Sequence, residues 1–97
     1  MTLTSRQRAE LRAKAHHLQP VVHIGQQGVT PALVQSLADA LRARELVKVQ
    51  LGRTAGLDVR DTANALAATA GADVVQVIGR TFTLYRENPE LHQRDAE

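Results

Sequence analysis

The residues whose types and spacing suit ligand chemistry are Gly25, Gln26, Gln27 and Gly28. Two glycines bracket two uncharged amides, and Thr30-Pro31 follows at once. Threonine is a good N-cap, and proline sits well at the first helical position, where its missing N–H costs nothing. The stretch therefore ends beside free backbone N–H groups and the positive end of a helix dipole, a place that accepts phosphate. Two glycines there would let a nucleic-acid backbone approach without side-chain obstruction. The same four residues also suit a plain strand-to-helix turn with φ > 0 at one or both glycines.

Other chemistry is sparsely represented. His16 and His17 are neighbours and cannot share one helix face, and His23 lies beyond Pro20 on a strand. No Asp or Glu stands near them in sequence. No Walker loop, G-x-G-x-x-G or nucleophile-plus-base pattern occurs. With no cysteine, disulfide staples and Cys-based zinc sites are excluded, which is compatible with a reducing compartment. The two aromatics, Phe82 and Tyr85, lie three apart on one predicted strand and so point to opposite faces. An aromatic base-stacking platform is therefore not expected. The reading is of a non-enzyme without cofactor or metal. If it binds RNA, it does so through backbone amides, Arg and Lys.

Charge agrees with a polyanionic partner. Net charge is +2 and the pI about 9.7, with ten of the twelve basic residues arginine, the better phosphate ligand. Arg6, Arg8, Arg12 and Lys14 fall in the first helix against Glu10 alone. Lys48, on a strand, reads as a charged residue of an edge or open face. No apolar run approaches the length of a membrane span, and the N-terminus is polar and basic, so a cytoplasmic chain is expected.

These residues need a scaffold, and 97 residues suffice for one domain. Thr4-Ser5-Arg6-Gln7 matches a capping box, which predicts a helix from Ser5 to about His17 with Leu11, Ala15 and Leu18 inward. Val21 to Ile24 reads as a strand, and Pro31 to Arg44 as a second helix carrying Leu33, Val34, Leu37 and Leu41. Leu46 to Leu51 alternates as a strand. Asp58 caps a third helix that Gly71 stops. Val74 to Ile78 and Phe82 to Arg86 flank a Gly79-Arg80 turn. Two helical crossovers favour parallel strands, and the hairpin adds an antiparallel one. The expectation is an α/β two-layer sandwich, helix-strand-helix-strand-helix-strand-strand, with a mixed four-stranded sheet. Val22, Ile24, Leu37, Leu41, Val47, Val49, Leu66, Val75 and Val77 are its expected core. The domain is expected to occupy residues 1–87, and residues 88–97 to form a polar, flexible tail.

Three ordered blocks give the chain a family likeness. They are Leu18-Gln19-Pro20-Val21-Val22-His23-Ile24-Gly25 running into Gly28-Val29-Thr30, then Glu45-Leu46-Val47-Lys48-Val49, then Val75-Gln76-Val77-Ile78-Gly79-Arg80-Thr81 with Leu84-Tyr85-Arg86. Over about residues 3–86 the chain resembles the CRM domain of YhbY-like bacterial proteins. The resemblance implies a fold similar to the C-terminal domain of translation initiation factor three. It also implies RNA binding and, for bacterial single-domain members, association with precursors of the large ribosomal subunit. By position the RNA-facing loop falls on Gly25, Gln26, Gln27 and Gly28. Both central residues are uncharged here, which shifts the charge burden to Arg6, Arg8, Arg12, Lys14 and Lys48. The resulting expectation is a monomeric, non-catalytic assembly factor for the large ribosomal subunit, bound to ribosomal RNA. A protein-interaction adaptor without direct RNA contact is the competing class, and salt dependence of binding discriminates the two.

Overall fold

A computed structural model describes residues 3–93. Its elements run α1 (Ser5–Ala15), β1 (Val22–Ile24), α2 (Pro31–Arg44), β2 (Leu46–Leu51), a 3-10 turn (Arg53–Ala55), α3 (Val59–Ala70), β3 (Asp73–Ile78), β4 (Thr81–Tyr85) and a short α4 (Pro89–Gln93). The predicted caps are in place. Thr4 Oγ1 accepts from the Gln7 amide at 3.1 Å and Gln7 Oε1 from the Thr4 amide at 2.9 Å. Thr30 Oγ1 accepts from Leu33 at 3.1 Å, and Asp58 Oδ2 from Asp61 at 3.0 Å. The first helix stops short of the expected His17. The amides of His17 and Leu18 bond three residues back, to Lys14 and Ala15, and this tighter turn delivers the chain to Pro20.

The sheet order is β1-β2-β4-β3. β1 lies parallel to β2, with Ile24 opposite Leu51, and β4 is antiparallel to both its neighbours. The returning strand of the hairpin is thus inserted between β2 and β3, and both crossovers keep the parallel sense expected of them. On one face Val22, Ile24, Val47, Val49, Leu51, Phe82 and Leu84 pack under α2 and α3, against Leu37, Leu41, Ala63, Leu66 and Ala67. The sheet with α2 and α3 makes the two expected layers, and α1 is an addition to them. The helix α1 lies across the other face, in contact with β2 and β3.

Of the nine expected core residues, eight are buried. Val77 is half-buried but packs on the same core. Val75 and Val77 of β3 do not share a face as simple alternation requires. Val74 and Val77, three apart, both pack on the α2/α3 core, whereas Val75 is buried outside that cluster. A bulge between Val74 and Gln76 inserts one residue against β4 and resets the alternation.

Glu45 joins α2 to β2 alone, at φ 65. Its carbonyl accepts from Arg86 at 2.9 Å, and its Oε2 from the Asn88 amide at 2.8 Å. Asn88 Nδ2 donates to the Arg42 carbonyl at 2.7 Å, so the chain is tied to the end of α2 before α4 begins. Residues 94–97 of the expected tail lie outside the described residues.

Candidate nucleic-acid interface

Residues 25–28 form a turn at the top of the sheet, where the parallel strands β1 and β2 end side by side. The Gly28 amide donates to the Gly25 carbonyl at 2.9 Å. Gly28 has φ +71, so the turn itself requires a glycine there. Gly25 is different. Its φ is not in the left-handed region, and a Cβ built on it meets nothing within 4 Å. Folding alone does not call for glycine at position 25, whereas close approach of a ligand backbone does.

The loop runs directly into α2. Among the described residues the amides of Gln26, Gln27, Thr30 and Ala32 have no hydrogen-bond acceptor, while the cap occupies that of Leu33 and Pro31 has none. These donors surround a groove of about 450 Å³ whose polar lining comes from His23, Gln26, Gln27, Thr30 and Ser36. Gln26 and Gln27 are exposed. The arrangement presents uncharged donors and a helix N-terminus to solvent, which suits an anion held by backbone.

The segment after β2 braces this loop. The Gly52 amide donates to the Ile24 carbonyl at 2.8 Å, and a Cβ at Gly52 would stand 3.0 Å from that oxygen. Leu57 comes within 3.8 Å of the position a Gly28 Cβ would take. Arg80, in the β3–β4 turn, donates from Nε to the Leu51 carbonyl at 3.1 Å and from Nη2 to that of Gly52 at 2.8 Å. Arg53 is exposed beside Gly52. Sequence reading alone passes over Arg53 and Arg80. The available signal is topological: adjacent parallel strands bring their C-terminal ends, and the loops that follow, to one edge.

The predicted cations are spread over the molecule. Arg6 is exposed and pairs with Glu10 at 3.5 Å. Arg8 is half-buried, and its Nη1 donates to the Val74 carbonyl beside the bulge, near the end of the sheet away from the loop. It ties α1 to β3. Arg12 and Lys14 are exposed. Lys48 lies at mid-sheet on the α1 face, with Nζ 3.4 Å from the Leu18 carbonyl. The structure therefore sets Gly25, Gln26, Gln27 and Gly28 in one turn beside the start of α2 and leaves Arg6, Arg8, Arg12, Lys14 and Lys48 apart from it. Among the described residues no three His, Asp or Glu side chains cluster to hold a metal ion, and no helix is long and apolar enough to cross a membrane.

Fold and site together define a small α/β module that offers a glycine loop at a helix N-terminus. The chain belongs to the CRS1 / YhbY (CRM) domain family, which matches residues 3–86. It is 42% identical over 91 residues to the Bacillus subtilis protein named "Probable RNA-binding protein YqeI", covering 94% of this chain and 95% of that one. It is 39% identical over 93 residues to a Haemophilus influenzae protein named "RNA-binding protein", covering 92% and 90%. The solution structure of a Staphylococcus aureus hypothetical protein superposes with a TM-score of 0.77 at 32% identity, over 90% of this chain and 91% of the other.

Proposed function

We propose that this chain is a non-catalytic RNA-binding protein that attaches to ribosomal RNA of large-subunit precursors as a cytoplasmic monomer. An RNA phosphate sits against the amides of the Gly25–Gly28 loop and the first turn of α2. The observation that carries this reading is Gly25, a glycine the turn does not need, beside donors with no intramolecular acceptor. The names of the relatives support the RNA partner. The assembly role rests on the family resemblance.

The loop reading is tested by Gln26→Asp with Gln27→Asp. Both side chains are exposed, so two carboxylates there need no burial. They also precede a helix N-terminus, where negative charge favours the fold. RNA affinity at fixed salt should fall at least tenfold while the thermal midpoint holds. A double variant with unchanged midpoint and unchanged affinity shows the loop to be only a turn. Cross-linking the protein to RNA in its native cells and sequencing what is bound tests the ribosomal assignment; recovery without enrichment of large-subunit RNA defeats it.

A further inference from the structure

The face of the sheet that α1 crosses is only partly covered. Beyond the last turn of α1 lies a groove of about 500 Å³, within the size range of about 300–1,000 Å³ usual for small-ligand sites. Its walls are apolar at Leu18, Pro20 and Ile78, and Ile78 is 57% exposed. Its floor carries Gln76, Thr81 and Thr83, with Lys48 at one side. Thr83 is 1% exposed, and its Oγ1 is buried with no hydrogen-bond partner. Buried hydroxyls nearly always have a partner, so an orphan lining a groove points to one supplied from outside.

A second groove of about 400 Å³ adjoins the first, and Lys48, Leu18 and Gln19 line both. This one carries Lys14, Arg44 and Lys48, and no acidic side chain lines it among the described residues. Lys48 Nζ has three donors and, among the described residues, only the long contact to Leu18.

We infer that this face holds one unstacked nucleotide of single-stranded RNA, its base in the groove floored by Thr83 and Gln76 and its phosphate in the groove of Lys14 and Arg44. The inference rests on the RNA-binding reading above and adds a second contact, separate from the glycine loop. A phosphate alone would leave much of the first groove unused, because beside Lys48 and His16 it offers amide and hydroxyl groups that can accept as well as donate. A base uses them. Its faces meet Leu18, Pro20 and Ile78, and its edge exchanges hydrogen bonds with an amide and two hydroxyls, the way single-stranded RNA is read. Lys48, shared by the two grooves, reaches the base edge or its phosphate. Pro20 and Gly25 are five residues apart, at most about 18 Å of chain, so one short strand can engage both contacts.

The test uses the full chain and two probes of equal length. One is a random-sequence RNA octamer; the other is the same ribose-phosphate chain without bases. The wild type should bind the octamer at least tenfold more tightly than the abasic strand at fixed salt. Thr83→Val is isosteric and removes the orphan hydroxyl, so its thermal midpoint should hold or rise. Thr83→Val and Gln76→Ala should each shrink the preference for bases at least threefold and leave abasic binding as it was. Lys14→Gln with Arg44→Gln should weaken both probes equally and flatten their salt dependence. A full preference retained in both Thr83→Val and Gln76→Ala overturns the base pocket while the RNA-binding reading stands. So does equal wild-type binding of the two probes. If neither probe binds the wild type, the RNA-binding reading fails and the pocket with it.

Discussion

Arg80 holds Gly52. Its Nη2 donates to the Gly52 carbonyl at 2.8 Å, and the Gly52 amide donates in turn to the carbonyl of Ile24, the residue before the glycine loop. The β3–β4 turn is thereby linked to the candidate phosphate site through two backbone groups. Arg80→Met removes both guanidinium hydrogen bonds and should cost about 1–2 kcal/mol. For a chain of this size that is a fall of about 4–8 °C in thermal midpoint per kcal/mol. Lys should not restore it, because a single ammonium cannot reach both carbonyls as a fork. Amide exchange at Gly52, followed by NMR, should quicken in step; unaltered exchange would detach Arg80 from the loop.

The three glycines at this edge should separate fold from binding. A Cβ at Gly25 meets open space, so Gly25→Ala should keep the midpoint or raise it by up to about 1 kcal/mol of stability, by restricting the unfolded chain. On the proposed loop contact its RNA affinity should still fall about tenfold, since a methyl group would obstruct the approach of an RNA backbone. Gly52→Ala should lose both stability and affinity, because its Cβ would stand 3.0 Å from the Ile24 oxygen. Gly28→Ala should also lose stability, because φ is +71 there. Full affinity in a well-folded Gly25→Ala variant would remove the case for backbone approach.

The two central arginines of α1 should behave differently. Arg8 donates to the Val74 carbonyl and is half-buried, so Arg8→Gln should lower the midpoint. Arg12 is exposed and available to phosphate. If it makes one phosphate contact, Arg12→Gln should leave the midpoint alone and flatten the slope of log affinity against log salt by about 0.7–0.9. Titrating each variant with RNA at several salt concentrations checks both statements. An unchanged slope for Arg12→Gln would assign that residue to the solvated surface.

Tyr85 offers a pH test of the packing under α1. Burial first, then the charges of Glu45 and Glu87, raises its phenol above the ordinary value. A group with a raised folded pKa gives stability that is complete below the unfolded pKa and is lost as pH climbs through the folded one. Stability should therefore decline in the alkaline range from about pH 10 upward. Tyr85→Phe should lessen that decline. Tyr85 is the sole tyrosine and there is no tryptophan, so the ultraviolet absorbance of tyrosinate reports it alone. A midpoint at or below the value for free tyrosine would contradict the assignment.

Element order was legible because each boundary has a local chemical cause. Thr4 with Gln7, Thr30 with Pro31, Asp58 and Gly71 each act within four residues of themselves. What was illegible depends on distant partners. Strict alternation along β3 cannot reveal the bulge that separates Val75 from Val77. Arg8 reads as a phosphate ligand until the fold brings the Val74 carbonyl to it. Arg86, part of the family's terminal block, donates to the carbonyls of Ala70 and Ala38 and so ties α3 to α2, a use no spacing announces. By composition Asn88 reads as the start of a loose tail, whereas in the fold it is anchored at Arg42 and Glu45. The glycine loop was found by its composition, but the Gly52–Leu57 segment that braces it was not. That contact exists only once β1 and β2 are neighbours.

The place of β4 in the sheet governs when a newly made chain becomes competent. The strand that joins β2 to β3 is the last one synthesised, so the two halves of the sheet have no hydrogen bonds between them while the ribosome is still extending the polypeptide beyond Ile78. Arg80, the brace on Gly52, is delivered with that same hairpin. A nascent chain therefore carries its glycine loop early but cannot fasten it until nearly the whole domain has emerged, and contacts so distant in sequence are slow to form.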